Sequence, residues 1–288
     1  MGITVYEDEN SSNFYPLTLI RPVSELRCGA VSVGERLARG QTMESKHQVR
    51  YPWDLIKNLK DDLEEDLKNL GSGIKGEVHS SAVLYAAENI LIEEGAVIEA
   101  CAVLDARSGP IYIGKKTIIR PQSYLRGPLY IGPECRIGGE VTHSIIHGYS
   151  NKAHYGFLGH AYVGEWVNLG AGTTNSNLKN TYGTVKVQLK DKVIDTGETF
   201  FGCLIGDYAK LGIGTLINTG TVIGFGANVT GGGVTPKYIP DFSWNGEEIY
   251  QLDRFLTAAE RVMGRRGQQL TPERRELIKL LHQKAIQV

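Results

Sequence analysis

Four histidines fall within one short stretch of the sequence: His143, His147, His154 and His160. An imidazole can accept a proton near neutral pH and act as a general base, or it can hold zinc together with further ligands. Taken alone, each of the four is best interpreted as a hydrogen-bonded structural residue. Their chemistry therefore depends on how the surrounding chain positions them.

The chain around these histidines follows a six-residue repeat. An aliphatic residue recurs at every sixth position and is often followed by glycine, of which the 288 residues contain 35. A spacing of six fits neither a helix nor a single strand, but it is typical of a parallel β-helix, in which residues 18 apart stack inside the coils. The fifteen aliphatic positions are Ile92, Ile98, Leu104, Ile113, Ile119, Leu125, Ile131, Ile137, Val163, Leu169, Ile205, Leu211, Ile217, Ile223 and Val229.

Two breaks interrupt the repeat. The first, between Ile137 and Val163, contains the four histidines. The second, between Leu169 and Ile205, is six whole repeats long, and we expect it to leave the prism and rejoin it without shifting the stack. Loops on such scaffolds usually carry function.

Both ends of the chain predict helices. Residues 54–70 place leucines four apart opposite a charged face, and residues 252–263 repeat the pattern of an amphipathic helix. The sequence Thr271-Pro272-Glu273 is typical of the start of a last helix. We expect these C-terminal helices to cover the coils and protect their open strand edges.

Charge and cysteine content exclude several classes of function. The 31 lysines and arginines nearly balance the 32 acidic residues, which argues against a nucleic-acid partner or a basic membrane anchor. No apolar run is long enough to span a membrane and no secretory leader is recognisable, so we expect a cytoplasmic protein. The four cysteines contain no C-x-x-C pair, which predicts reduced thiols rather than a disulfide framework or a thiolate zinc site.

A resemblance to a known family rests on two segments, 152–159 (KAHYGFLG) and 167–172 (VNLGAG). With the flanking repeats, over roughly residues 76–235, they resemble the C-terminal acetyltransferase domain of the bifunctional N-acetylglucosamine-1-phosphate uridyltransferase/glucosamine-1-phosphate acetyltransferase family. The resemblance implies a left-handed parallel β-helix, a homotrimer, and acetyl transfer from acetyl-CoA to an amino-sugar phosphate without a tightly bound metal. It also implies that His154 is the general base for the attacking amine.

The same resemblance assigns further binding roles. Asn168 corresponds to an asparagine that holds the substrate sugar, Asn177 to one that touches the ligand or cofactor, and Arg120 to an arginine that faces the substrate's phosphate. Backbone N–H groups at the glycine corner 170–172 would stabilise the negative charge that develops on the thioester oxygen. The cofactor groove is implied to contain Gly170, Ala171, Ile213 and Gly231.

Five positions depart from the family pattern, and two of them, Leu178 and Ile213, replace polar contacts to the cofactor. Phe157 stands where the family has a substrate-binding tyrosine, and Thr142 and Gly183 stand where it has phosphate-binding lysines. The pocket thereby loses affinity for a sugar phosphate unless a lysine such as Lys186 enters it from the second break. We therefore expect the acceptor to be an amino-sugar phosphate or a nucleotide sugar, with Phe157 and Lys186 among its binding residues.

The N-terminal segments 14–18 (FYPLT) and 21–27 (RPVSELR) resemble the opening of the nucleotidyltransferase domain in a divergent branch of sugar-nucleotidyltransferase-like proteins. Fewer than 80 residues precede the repeats, too few for a complete nucleotide-binding domain, so we expect no complete pyrophosphorylase site. The predicted organisation is a remnant of that domain with a connecting helix (1–75), a β-helix acyltransferase-like domain (76–240) and an α-helical cap (241–288).

Two other functions fit parts of the sequence. One is a non-catalytic trimeric scaffold that senses a ligand. The other is a zinc enzyme like the γ-carbonic anhydrases, a related β-helix class with three histidines at a subunit interface. The usual spacing of that class, two histidines five apart and a third much earlier, is missing here.

Overall fold

The six-residue repeat forms a parallel β-solenoid. The computed structural model of the protein describes residues 11–39 and 49–287. All fifteen aliphatic positions of the repeat are at most 8% exposed, and they form one continuous core inside the coils. The prism interior is thus filled by the residues that the repeat predicts.

Most strands are two to four residues long, as the flat sides of a narrow prism require. In chain order the described strands are β1 (Gly73–Ile74), β2 (Glu77–Val78), β3 (Val83–Tyr85), β4 (Ile90–Ile92), β5 (Val97–Ile98), β6 (Val103–Asp105), β7 (Ile111–Ile113), β8 (Ile118–Ile119), β9 (Tyr124–Ile131), β10 (Arg136–Ile137), β11 (Glu140–Gly148), β12 (Asn151–Lys152), β13 (Phe157–Gly159), β14 (Tyr162–Glu165), β15 (Asn168–Leu169), β16 (Thr174–Asn175), β17 (Lys186–Leu189), β18 (Lys192–Asp195), β19 (Cys203–Ile205), β20 (Lys210–Leu211), β21 (Thr215–Ile217), β22 (Thr221–Ile223), β23 (Asn228–Val229), β24 (Gly233–Val234), β25 (Tyr238–Ile239), β26 (Ser243–Trp244) and β27 (Glu248–Ile249).

Successive coils pair through parallel ladders. One sheet follows the order β1-β4-β7-β9-β11-β14-β19-β22-β25, a second follows β2-β5-β8-β10-β12-β15-β20-β23-β26-β27, and a third contains β16-β21-β24. Ile113 pairs with Ile131, and Ile205 with Ile223, so residues 18 apart do stack. The predicted left-handed parallel β-helix of hexapeptide repeats with flanking helices is confirmed.

The two breaks change the length of a coil in opposite directions. In the first, Ile137 pairs with Lys152, so this coil has 15 residues and places a lysine in the interior column. In the second, Val163 pairs with Ile205, so that coil has 42 residues. The additional residues form the antiparallel hairpin β17–β18, and the next strands return to the original register as predicted.

Helices from both ends of the chain flank the solenoid. The leucines spaced four apart over 54–70, Leu55, Leu59, Leu63 and Leu67, are buried, but the segment forms two helices that meet at Asn58. The described α-helices are α1 (Val33–Ala38), α2 (Pro52–Lys57), α3 (Leu59–Leu70), α4 (Leu252–Gly264) and α5 (Pro272–Ile286), and short 3-10 helices span Ser11–Phe14, Val23–Glu25 and Ala87–Asn89.

Residues 11–39, here called the N-terminal strap, pack on the first sheet of the solenoid. The Arg21 guanidinium donates to Asp207 at 2.8 Å and to Glu165 at 2.9 Å, and all three side chains lie at most one-fifth exposed. His147 lies 3.1 Å from the same Glu165 carboxylate. These buried ion pairs tie the strap to strands that are far away in sequence.

The C-terminal helices lie along the coils. Phe255 of α4 packs on Tyr208, Phe225 and Phe242, aromatic residues that come from successive coils. The antiparallel pair β26–β27 covers the last edge of the second sheet. In the described part of the chain, none of the helices has the length and apolar character needed to cross a membrane.

Candidate functional site

A column of four predicted site residues runs down one corner of the solenoid. Asn151 pairs with Asn168, and Leu169 pairs with Leu211, which in turn pairs with Val229. Continuing this register by two or three residues stacks the corner residues of successive coils. The members of the column are His154, Ala171, Ile213 and Gly231.

His154 heads this column with its ring unengaged. The side chain is exposed, and its ring nitrogens make no hydrogen bond to any residue that the structure describes. The loop that carries His154 is held in place by Lys152. The Lys152 ammonium donates to the carbonyls of Gly138 at 2.8 Å, His154 at 3.2 Å and Gly156 at 2.7 Å. His154 thus combines a fixed backbone with a free imidazole.

Lys152 and Gly156 explain why this loop adopts its shape. Lys152 is 3% exposed, and burial lowers the pKa of its ammonium to about 8. Gly156 has a φ of +121°, and a Cβ at this position would collide with the Thr173 carbonyl. Only glycine is free of strain there, so the sequence K-A-H-Y-G encodes the turn that presents His154.

A second column lies beside the first, on the outer face of the second sheet. Arg136 pairs with Asn151, Asn151 with Asn168, and Asn168 with Lys210. The Asn151 amide donates to Asn168 Oδ1 at 3.4 Å. Burial lowers the pKa of the Lys210 ammonium to about 7, and this group donates to the carbonyls of Trp166 and Tyr208.

The end of α4 places two arginines over this face. Arg266 donates to Asn151 Oδ1 at 2.9 Å and to the Glu134 carbonyl at 3.3 Å. Burial, and then the charge of Arg136, lower the pKa of its guanidinium. The sequence interpretation missed these groups, although an arginine doublet directly after an amphipathic helix was a readable signal.

The two columns and the α4 arginines enclose a cleft of about 430 Å³, here called the His154 cleft. It brings together five of the predicted site residues and adds three arginines. Its defining residues are His154, Asn168, Gly170, Ala171 and Ile213 from the prediction, with Arg136, Arg265 and Arg266.

Two of the other predicted residues lie near a different cavity. Asn177 hydrogen-bonds His160 Nδ1 at 2.8 Å, and the Phe157 ring lies against Gly159 beside the same amide. His160 stacks on His143 with ring centroids 4.4 Å apart, and both line a cavity of about 460 Å³. Burial and the neighbouring His143 lower the pKa of His160 to about 3, so this ring is neutral at physiological pH.

The last three predicted residues are exposed. Arg120 pairs with Glu99 at 3.2 Å, away from the His154 cleft. Lys186 lies on the hairpin strand β17 and not among the residues that line the cleft. Gly231 continues the His154 column and has a φ of +92°, with open space where a Cβ would be.

The histidines do not converge as zinc ligands. His143 and His160 stack face to face, His147 is bound to Glu165, and His154 lies at a separate corner. Across residues 11–39 and 49–287, no group of three or more histidine, cysteine or acidic side chains has a geometry suited to a metal ion. Within the described part of a single chain, the four histidines therefore do not converge on one point.

The chain matches a known protein family and several curated proteins. The sugar nucleotidyl transferase family matches residues 3–47. A bifunctional sugar-1-phosphate nucleotidylyltransferase/acetyltransferase of Sulfurisphaera tokodaii is 35% identical over 119 residues, which are 41% of this chain and 30% of the relative. The bifunctional protein GlmU of Methanocaldococcus jannaschii is 29% identical over 181 residues, 62% of this chain and 42% of the relative.

The chain resembles GlmU-type bifunctional proteins. This confirms the resemblance inferred from its motifs, and the chain spans about a third to two-fifths of the length of these two curated relatives. Among solved structures, the N-acyltransferase AntD of Bacillus cereus, in complex with dTDP and 3-hydroxybutyryl-CoA, matches 62% of this chain and 80% of its own. With 16% identity and a TM-score of 0.27, that similarity is too low to assign a function.

Proposed function

We propose that the protein is an acyl-CoA-dependent acyltransferase that moves an acetyl group from acetyl-CoA to the amine of an amino-sugar phosphate or a nucleotide sugar. The observation that carries this proposal is the free imidazole of His154, which heads a column of uncharged corner residues in a cleft beside the exposed Asn168. The acetyltransferase named in one relative supports the same class of reaction.

In the proposed reaction, His154 accepts a proton from the amine as its nitrogen attacks the thioester carbonyl carbon. The C–N bond forms, the C–S bond breaks, and the departing thiolate of CoA takes the proton back from the imidazolium. The base needs one ring nitrogen that is open to the amine, and neither ring nitrogen of His154 is hydrogen-bonded to a described residue. Such general-base catalysis contributes roughly 10²- to 10⁴-fold in rate.

The backbone beside His154 supplies one donor for the tetrahedral intermediate. The N–H groups of Gly170 and Gly172 are used by the carbonyls of Leu211 and Tyr155. The N–H of Ala171 has no acceptor among the described residues. We assign this N–H to the thioester oxygen, where negative charge accumulates as the amine adds.

The remaining predicted residues are assigned to binding. The pantetheine arm follows the column through Gly170, Ala171, Ile213 and Gly231, and Asn168 holds the acceptor sugar. Arg120, Phe157, Asn177 and Lys186 lie outside the cleft of their own chain. We propose that a homotrimer brings them to the cleft of a second copy, which sedimentation equilibrium tests through a mass three times that of the chain.

We further propose that the catalytic site lies on the solenoid and that the protein does not catalyse a pyrophosphorylase reaction. Residues 11–39 and 49–70 form helices and turns that pack on the coils, and within these ranges no extended strand is present. A nucleotide-binding domain of the doubly wound type needs a parallel sheet. Incubation with UTP and a sugar phosphate, followed by pyrophosphate detection, tests this absence of activity.

The central test is acetyl-CoA turnover with a panel of amino-sugar phosphates and nucleotide amino sugars. His154→Gln is expected to lower kcat by about 100-fold or more, since it removes the base. His79→Gln is the matched control. His79 is exposed, is hydrogen-bonded to the nearby Ser81, and lies far from His154 in the sequence. Acetyl-CoA binding in calorimetry without turnover on any acceptor would instead favour the non-catalytic scaffold.

A further inference from the structure

The arginines of the His154 cleft lack the carboxylate partners that other arginines of this protein have. Arg21 and Arg120 each pair with acidic side chains within 3.2 Å. Arg136, Arg265 and Arg266 have no ion pair with any of the residues that the structure describes. Three cations in one cleft repel one another, so the arrangement favours an anion between them.

The cleft arginines are oriented by neutral acceptors, which leave part of each guanidinium open. Arg136 donates to the carbonyls of Lys116 and Cys135 at 3.1 and 2.9 Å. Arg266 is held through the Glu134 carbonyl and Asn151 Oδ1. The Arg265 guanidinium makes no hydrogen bond to the described residues. A guanidinium has five N–H donors, so all three retain donors for a ligand.

A smaller lobe of about 240 Å³ adjoins the cleft and shares Arg265 and Arg266 with it. Trp166 lines this lobe and is 3% exposed, and its indole Nε1 has no hydrogen-bond partner within the described part of the chain. A buried indole N–H without an acceptor costs free energy unless a ligand supplies one. Trp166 therefore adds, independently of the arginines, a polar group beside the lobe whose hydrogen bond is not made within the described residues.

The amide oxygens of the cleft that could accept hydrogen bonds from these donors already accept hydrogen bonds within the protein. Asn151 Oδ1 accepts from Arg266, and Asn168 Oδ1 accepts from Asn151. Cleft and lobe therefore present mainly donors and positive charge. Because Arg265 and Arg266 stand where the two spaces join, their anion lies in the middle of the ligand, with one part extending toward His154 and the other toward Trp166.

We propose that Arg136, Arg265 and Arg266 bind the diphosphate of a nucleotide-bearing ligand of the His154 cleft. A diphosphate joins two larger moieties, as the two adjoining spaces require, and its oxygens match the forked donors of arginine. The assignment rests on the proposed function for the role of the cleft. Acetyl-CoA and a nucleotide sugar both contain this group, so the experiment separates the two sources.

Calorimetry on the full chain uses two sets of probes: acetyl-CoA against acetyl-pantetheine, and UDP, GDP, ADP and dTDP against the matching monophosphates. Arg265→Gln is the cleanest variant, because the Arg265 side chain has no described hydrogen bond or ion pair whose loss could disturb folding. We expect Kd for the diphosphate-bearing probe to rise about 10- to 100-fold in Arg265→Gln, and further when Arg136→Gln is added. Arg254→Gln, on the same helix but outside the cleft, is expected to leave it unchanged.

The probe that weakens identifies the source. A loss confined to acetyl-CoA assigns the arginines to the acyl donor, and a loss confined to a nucleoside diphosphate assigns them to the acceptor. If wild-type protein binds neither probe, or if the arginine variants bind within twofold of wild type, the proposal is wrong. Arginine-dependent binding without acetyl transfer would contradict the proposed function alone, and His154-dependent transfer with arginine-independent binding would contradict this inference alone.

Discussion

The His154 cleft and the contact between the N-terminal strap and the solenoid contain the same residue types in opposite states. In the strap contact, both His147 ring nitrogens lie within 3.2 Å of an acceptor, and Arg21 is bound to two carboxylates. In the cleft, His154 and Arg265 have no such partners among the described residues. Partnering, and not residue type, thus separates groups that hold the fold from groups available to a ligand.

The strap contact gives the largest predicted change in stability. Arg21→Met leaves Glu165 and Asp207 buried without their cation, and we expect the free energy of unfolding to fall by about 3–5 kcal/mol. Urea denaturation followed by circular dichroism measures this. Acetyl transfer per folded molecule should stay unchanged, and Arg254→Gln serves as the control. Wild-type stability in Arg21→Met would mean that the ion pairs do not hold the strap.

The same contact predicts the acid limit of stability. Burial alone would raise the pKa of Glu165, but the hydrogen bond from His147 and the charge of Arg21 outweigh it and hold the pKa at about 2. The contribution of Glu165 is therefore present above its ordinary pKa of 4.5 and is lost as the pH falls through about 2. In Arg21→Met this loss is expected at higher pH, which acid titration of the unfolding midpoint detects.

Lys152 connects the groups that hold the fold with those available to a ligand. Its ammonium is fully hydrogen-bonded, and it holds the loop that carries the free His154 side chain. Lys152→Met leaves the carbonyls of Gly138, His154 and Gly156 without their donor, at a cost of about 1–3 kcal/mol. Because the His154 loop loses its support, we expect kcat to fall more than KM changes. Lys115→Met, an exposed lysine, is the control. A variant that unfolds more easily but keeps kcat would show that the loop does not depend on Lys152.

Lys210 adds a pH-dependent test of the cleft face. Since its folded pKa of about 7 lies below the ordinary 10.5, the unfolded chain binds more protons between these values, and stability rises with pH there. Between pH 7 and 8.5, wild type should gain about 1–2 kcal/mol relative to Lys210→Met. Denaturation at several pH values measures the difference, and parallel curves for the two proteins would contradict it.

An exposed ion pair is expected to show the smallest effect on stability, and it therefore tests whether burial sets the strength of these contacts. Lys60 and Glu64 of α3 lie 3.9 Å apart and about half exposed. Glu64→Gln is expected to change the free energy of unfolding by at most about 0.5 kcal/mol, since solvent screens the pair. A loss near that of Arg21→Met, measured by the same denaturation, would mean that burial does not set the strength of these contacts.

The solenoid could be predicted because its signal is local and repeats fifteen times. Ile113 and Ile131 follow the same rule, so each position supports the others. The 15-residue coil at Lys152 could not be predicted, because a lysine in an interior column is stable only where three carbonyls happen to converge on it. The corner column from His154 to Gly231 follows from the register, and its members were identified through the family resemblance.

The arginine side of the cleft could not be read from the repeat. Arg265 and Arg266 line the His154 cleft because Phe255 fixes α4 along aromatic residues of several coils. That docking depends on contacts between residues far apart in sequence, which no periodicity encodes. For the same reason the spacing of the histidines alone did not distinguish the free His154 from the stacked His143 and His160, and His154 was identified through the family resemblance.

A structure of the protein in complex with acetyl-CoA tests the central claim most directly. We predict that the thioester lies beside the His154 ring with its oxygen at the Ala171 N–H, and that the pantetheine arm follows Ile213 and Gly231. Acetyl-CoA bound in the cavity of His143 and His160, with the His154 cleft occupied by solvent alone, would contradict the account.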